Sequence, residues 1–252
     1  MADISVTAGT VFEGSKVPLR VWFRAMWWVT NQKGGVSALG LQRMLGFGSY
    51  KTAWALLHKL RRAMIRPGRE QLSGEIEVDE TIVGGRRRVK EGRYPGRYLD
   101  KAIVVVAVEV RGEHMGRIRL QRVLEPTQAI LLPFVKKVAT PGSRILTDGW
   151  WGYHGLEKMG YSHQRIVTDG MGREIHDFVM PRVHRVAALL KRWLLGTHQG
   201  RVAREQLDHY LDEFTFRFNR RSSATRGNLF KRLVEQAVAI ELSTYADLTE
   251  CR

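Results

Sequence analysis

Gly74-Glu75-Ile76-Glu77-Val78-Asp79-Glu80-Thr81-Ile82-Val83 alternates apolar and acidic side chains before closing on an apolar run. That period of two reads as a strand, with Asp79 near its end. A second apolar run, Ser143–Thr147, reads as a buried central strand and runs straight into Asp148-Gly149-Trp150. If the two strands are neighbours, Asp79 and Asp148 project from one edge of a sheet. Paired carboxylates of that kind suit hard divalent cations, which take few ligands from protein. Two such ions can clamp both oxygens of an in-line phosphoryl displacement. For either aspartate alone, a turn or capping role is the commoner one.

The strands around this pair set the fold class. Lys101–Val110 and Gly116–Leu124 read as further strands, antiparallel with short links, and Ser162–Val167 as another. Pro126 is expected to open a helix running to about Ala139, since a first turn does not need its missing N–H. Helices are also expected over Pro181–Leu195, Ala203–Arg220 and Asn228–Leu242. This order is an α/β mixed sheet with helices on its faces.

Ahead of the sheet the pattern is helical. Pro18 opens a tryptophan-rich helix to about Thr30. Ser37 and Ser49 are N-cap candidates for a short and a longer helix separated by Gly46-Phe47-Gly48. A short helix, a glycine turn and a longer helix at 37–64 fit a helix-turn-helix, and equally an ordinary helical hairpin. Tyr50, Lys51 and Thr52 start the longer helix, and Lys59, Arg61 and Arg62 lie near its end. These six are candidate DNA contacts. Arg86, Arg87 and Arg88, in a glycine-rich loop after the first strand, are three more. Arg66-Pro67-Gly68-Arg69 reads as the domain boundary.

A third ligand is sought in the helix from Pro181, where Val183, Val186, Ala187, Leu190 and Leu194 form the buried stripe. His184 and Lys191 lie beside it, seven residues apart and so nearly in line. A neutral imidazole can ligate a metal and a lysine can hold a phosphate. A half-buried structural histidine is the competing reading. Glu174 and Asp177 are rival ligands, as is Glu80, although alternation points Glu80 to the opposite face from Asp79.

Composition points to the partner. The 252 residues carry 41 lysines and arginines against 25 acidic residues, a formal net charge of +16. That excess attracts phosphate backbones at long range. Hydrophobic residues make up 44%, enough for one large core or two modest ones. The single cysteine, Cys251, excludes an internal disulfide and a cysteine zinc site. No run approaches a membrane span, and Met1-Ala2-Asp3-Ile4 does not begin a signal peptide. The expected location is the cytoplasm, with no membrane partner.

The sequence also resembles a known family. Ser5–Phe12, Ser49–Trp54, Val78–Thr81, Thr147–Trp150, Leu189–Arg192, Gly196–His198 and Tyr210–Arg221 look like the ISXO-like DDE transposases of the bacterial 1595 insertion-sequence family. The resemblance covers nearly the whole chain. It implies a ribonuclease-H-like domain at 69–225, following a helical DNA-binding domain at 1–68 and followed by a helix and tail at 226–252. It further implies DNA cleavage and strand transfer at element ends with magnesium or manganese, on double-stranded DNA, by a homo-oligomer associated with the nucleoid. Asp79 and Asp148 match the first two members of the acidic triad, and Lys191 a lysine that follows the third. The third falls on His184, where much of the family has asparagine or glutamate. Such transposases often begin with a cysteine zinc ribbon, and this sequence starts where that ribbon would end. An inactive DNA-binding protein derived from a transposase is the alternative, and a nuclease without transfer activity a third reading.

Overall fold

The computed structural model describes residues 5–66, 68–84, 101–166, 179–200, 202–241 and 244–249. Arg86, Arg87, Arg88, Glu174, Asp177 and Cys251 lie outside the described residues, as does Pro67 of the expected boundary. The chain divides into two compact units: Glu70–Leu207, and Met1–Arg69 together with Asp208–Arg252. The C-terminal helices join the N-terminal ones in one unit because they share a core with them.

The 70–207 unit is built on a five-stranded mixed sheet of order β3-β2-β1-β4-β5. Its strands are β1 (Glu75–Val83), β2 (Ala102–Arg111), β3 (His114–Val123), β4 (Arg144–Asp148) and β5 (Ser162–Ile166). The first three pair antiparallel, whereas β4 runs parallel to β1 and β5 parallel to β4. This is the ribonuclease-H-like arrangement that the resemblance implies. One face carries Ile76, Val78, Val105, Ala107 and Ile145, packed with Leu131, Phe134 and Val135 of a helix at Gln128–Val138. A second helix, Pro181–His198, packs on β1 and β2 through Val183, Val186, Leu190 and Leu194. Covering both faces explains the unbroken burial of β2 from Val104 to Val108. Pro181 occupies the first turn of its helix as expected. Pro126 does not: Thr127 is the N-cap of the Gln128–Val138 helix, and a different proline, Pro133, lies inside it.

The β2–β3 pairing is interrupted between Val108 and Val110, and this irregularity is locked by one carboxylate. Glu109 accepts from the Arg117 backbone N–H at 3.2 Å, from Arg117 Nη2 at 2.9 Å and from the Ser73 N–H at 3.2 Å. There is no room for a side chain at residue 116, since a Cβ would lie 2.7 Å from Glu109 Oε2. Burial pushes the Glu109 carboxyl up, but the Arg117 and backbone bonds outweigh it and hold its pKa down at about 2.

The other unit is helical. Leu19–Asn31, Ala38–Leu45, Tyr50–Ala63, Leu207–Phe218 and Arg226–Val238 are its main helices, with a short one at Tyr245–Thr249. Trp22, Met26, Leu41, Leu57 and Leu60 share one core with Phe216, Leu229 and Leu233. Ser37 caps its helix by accepting from the Gly40 N–H at 3.1 Å, and Gly46 ends that helix in the left-handed region at φ 69°. Ser49, expected to cap the next helix, makes no side-chain cap bond.

Arg61, expected to contact DNA, instead belongs to the interior of this unit. Arg61 is 1% exposed and cannot reach a DNA backbone. Its Nε lies 2.8 Å from Glu213 Oε2, and its guanidinium stacks on Tyr210 at 3.9 Å. Glu213, itself fully buried, also receives Arg217 Nε at 2.8 Å. Arg217 in turn donates to the carbonyls of Gln32 and Val29.

Two predictions follow from these carboxylates. Glu213→Ala strands two guanidiniums and should cost about 3–5 kcal/mol in urea denaturation followed by tryptophan fluorescence. A loss under about 1 kcal/mol would contradict the described ion cluster. For Glu109 the folded pKa is depressed. Its contribution, up to about 3 kcal/mol, is therefore complete above the ordinary carboxylate range and declines as pH falls toward 2. Between pH 6 and pH 3 the wild type should lose about 2 kcal/mol more than Glu109→Gln.

Candidate functional site

Alternation along β1 sends Glu77 and Asp79 to one face and Val78 and Glu80 to the other. Glu77 is 1% exposed, and its carboxylate closes the first turn of the Pro181–His198 helix. Oε2 accepts from the N–H of Arg182 at 2.9 Å and of Val183 at 2.7 Å, while Arg182 Nη1 reaches Oε1 at 3.1 Å. Met180, the N-cap residue, makes no side-chain cap bond. A carboxylate from the sheet does that work, and the positive end of the helix dipole favours it there. The helix start is thereby fixed against β1. His184, one residue further on, has Nδ1 3.6 Å from Asp79 Oδ2.

Asp148 comes to the same level through strand register. Glu75, Ile76 and Glu77 pair with Arg144, Ile145 and Leu146. Continuing in phase sets Asp148 beside Asp79, on the same face. Asp148 Oδ1 accepts from the Trp150 N–H at 3.0 Å, and Asp79 Oδ1 from the Glu80 N–H at 2.7 Å. Glu80 faces the other way, as alternation requires, and its Oε1 accepts from the Tyr153 hydroxyl at 2.5 Å. Burial raises the Glu80 carboxyl to about 7. The Tyr153 bond opposes that rise, and the charges of Asp79 and Asp148 add to it. The Tyr153 phenol is pushed well above its ordinary value, by burial first and then by Glu80. Glu80 thus feels the charges of Asp79 and Asp148.

Among the described residues, no three His, Cys, Asp or Glu side chains are gathered closely enough to hold a metal ion. The structure brings Asp79 level with Asp148, and His184 against Asp79, without closing the expected trio into a cage. Asp79 stands mid-strand on β1 rather than near its end, and Asp148 closes β4; the two carboxylates still offer the hard oxygen donors that magnesium or manganese takes, and magnesium commonly completes its shell with water and substrate phosphate. The donor set therefore fits such an ion.

Lys191 stands two turns beyond His184, about 10 Å along the helix. It is exposed and lines a cleft of about 240 Å³ with Ile82, Val83, Ala102, Leu194 and Arg204. The cleft lies at the far end of β1, so Lys191 is placed apart from the carboxylates. In the helical unit, Tyr50 and Lys51 are exposed at the start of their helix, with Lys51 Nζ 4.1 Å above the Tyr245 ring. Thr52, Lys59 and Arg62 are half-buried. Burial lowers the Lys59 ammonium pKa, against the pull of Asp247.

Two residues escaped the sequence reading. Glu77 was visible as an acid on the same strand face as Asp79, and its meaning needed the knowledge that both sheet faces are covered. Tyr153 left no signal, since its partner lies in another element.

Residues 71–219 match the family model described as ISXO2-like transposase domain. A protein of Halobacterium salinarum, described as an uncharacterized protein in transposable element ISH50, is 26% identical over 221 residues, covering 83% of this chain and 72% of its own length. Among solved structures, the catalytic core domain of BIV integrase aligns with 65% of this chain and 97% of its own, at 17% identity and a TM-score of 0.38. The Mos1 transposase paired-end complex with left transposon end aligns with 89% of this chain and 81% of its own, at 12% identity and a TM-score of 0.32.

If Glu77 sets the helix start, Glu77→Ala should speed hydrogen exchange at the Arg182 and Val183 amides roughly tenfold or more. Unchanged protection there would show that the helix is held by other contacts.

Proposed function

The chain belongs to the ISXO2-like transposase family, and we propose that it cuts DNA at the ends of an insertion element and joins them to target DNA at the site marked by Asp79 and Asp148. The observation that carries this reading is the β1–β4 register, which sets the Asp79 and Asp148 carboxylates side by side on neighbouring strands in a chain of net charge +16.

In this reading Asp79 and Asp148 hold magnesium or manganese, with His184 completing the site beside Asp79. When bound, such ions activate the attacking oxygen and neutralise charge on the phosphodiester. The chain's own residues do the positioning. The N–H groups of Glu80 and Trp150 each hold one oxygen of Asp79 and Asp148, which fixes the carboxylate planes. Glu77 holds the helix that carries His184. Lys191 offers a cation to a phosphate further along the bound strand. The 37–64 helix pair would grip element-end duplex, with Tyr50 and Lys51 outermost. Joining two ends requires more than one copy of the chain on DNA.

One observation favours the alternative of an inactive DNA-binding derivative: an imidazole, not a carboxylate, faces Asp79. A single experiment separates the two. The purified chain is given labelled duplexes bearing the ends of its own element, in magnesium and in manganese. The wild type should cut and transfer strands, and Asp79→Ala should lose both while binding the duplex as before. Transfer that persists in Asp79→Ala would refute the site assignment. Binding without cleavage by the wild type would favour the inactive derivative.

A further inference from the structure

Two tryptophans follow Asp148 in the turn after β4, and neither is needed for the core. Trp150 is 39% exposed and Trp151 49%. Adjacent indoles left half in water present apolar surface that a ligand can cover. Their centroids are 5.5 Å apart and their planes tilted by 45°, so the rings do not cover each other.

Trp150 is held in place before any ligand arrives. The Trp150 N–H donates to Asp148 Oδ1 at 3.0 Å, and its indole Nε1 donates to the Pro126 carbonyl at 2.8 Å. Gly152 closes the turn where no side chain fits, since a Cβ would lie 2.8 Å from both Leu131 and the Trp150 indole nitrogen. With its N–H engaged, the Trp150 ring has only its π face and edge carbons left to offer. A fixed ring loses little freedom on stacking. The strand next to β4 carries a cation: the exposed Arg165 on β5 has Nη1 3.0 Å from Nε2 of His154, three residues after Trp151. Exposed ring faces in a strongly basic chain, with an exposed arginine on the neighbouring strand, match a nucleotide with its base unstacked and its phosphate anionic.

We infer that Trp150 and Trp151 form a stacking platform for an unpaired nucleobase of the DNA strand served by Asp79 and Asp148. The inference rests on the DNA reading above and adds to it that the strand is taken up with at least one base pair opened. Stacking is tolerant of sequence, so the platform grips the opened strand without reading it.

The test uses the full chain in EDTA, where no strand is cut, with two 30-nucleotide probes: a fully paired duplex, and the same duplex with three unpaired nucleotides at one end, one of them 2-aminopurine. The wild type should bind the splayed probe more tightly and change its 2-aminopurine fluorescence. Trp151→Leu keeps apolar bulk without a π face. It should weaken splayed-probe binding roughly 5- to 150-fold and leave paired-duplex binding within about twofold. Trp151→Phe should restore most of the loss. Equal effects on both probes, or none on either, would overturn the platform while leaving the DNA reading intact. A change from dimer to monomer in Trp151→Leu, with splayed-probe binding kept, would reassign the rings to a contact between copies. Failure of the wild type to bind either probe would remove the DNA reading itself.

Discussion

Glu77 is the constraint on which the site depends. A fully buried carboxylate is costly unless every lone pair is used. Here the cost is offset by two backbone N–H groups and a guanidinium, all from the first turn of one helix. That exchange leaves the helix no freedom to slide along β1. It also fixes what comes next on each element, Asp79 two residues along the strand and His184 one residue beyond the last donor. Parallel register with β4 then brings in Asp148. Hydrogen bonding at one residue and pairing at its neighbours therefore set the relative positions of Asp79, Asp148 and His184.

Much of this was legible in the sequence. The alternation around Asp79 and the apolar run before Asp148 are local signals, and both strands lie where they were read. The helix at Pro181 was equally clear, because proline in a first turn is a local rule. Legibility fails where a residue's role depends on a distant partner. Arg61 looks like a basic residue on a recognition helix, yet Glu213, 152 residues away, takes it into the core. Pro126 misled for a smaller reason, since Thr127 is also a good cap and lies one residue closer to the helix. The break at Leu207 carries no glycine or proline signal, because the helix starting there continues directly into the other unit's core.

The Tyr210–Arg221 run shows how a family-like motif can be structural. Tyr210 stacks on Arg61, Glu213 joins Arg61 to Arg217, and Arg217 reaches the end of the first helix. Arg220 and Arg221 lie over Phe216 and Phe218 of the same run. Its arginines therefore count toward the chain's positive charge, while several of them are committed to packing. Charge totals point to a nucleic-acid partner, and burial decides which cations remain to meet it.

The central claim is that Asp79 and Asp148 together hold a divalent ion. Manganese titration followed by electron paramagnetic resonance, with the wild type and Asp148→Asn each bound to duplex DNA, tests it most directly. The wild type should deplete the free-manganese signal, and Asp148→Asn should bind the ion much more weakly. Equal manganese affinity in the two would place the ion elsewhere and rule out the Asp79–Asp148 site.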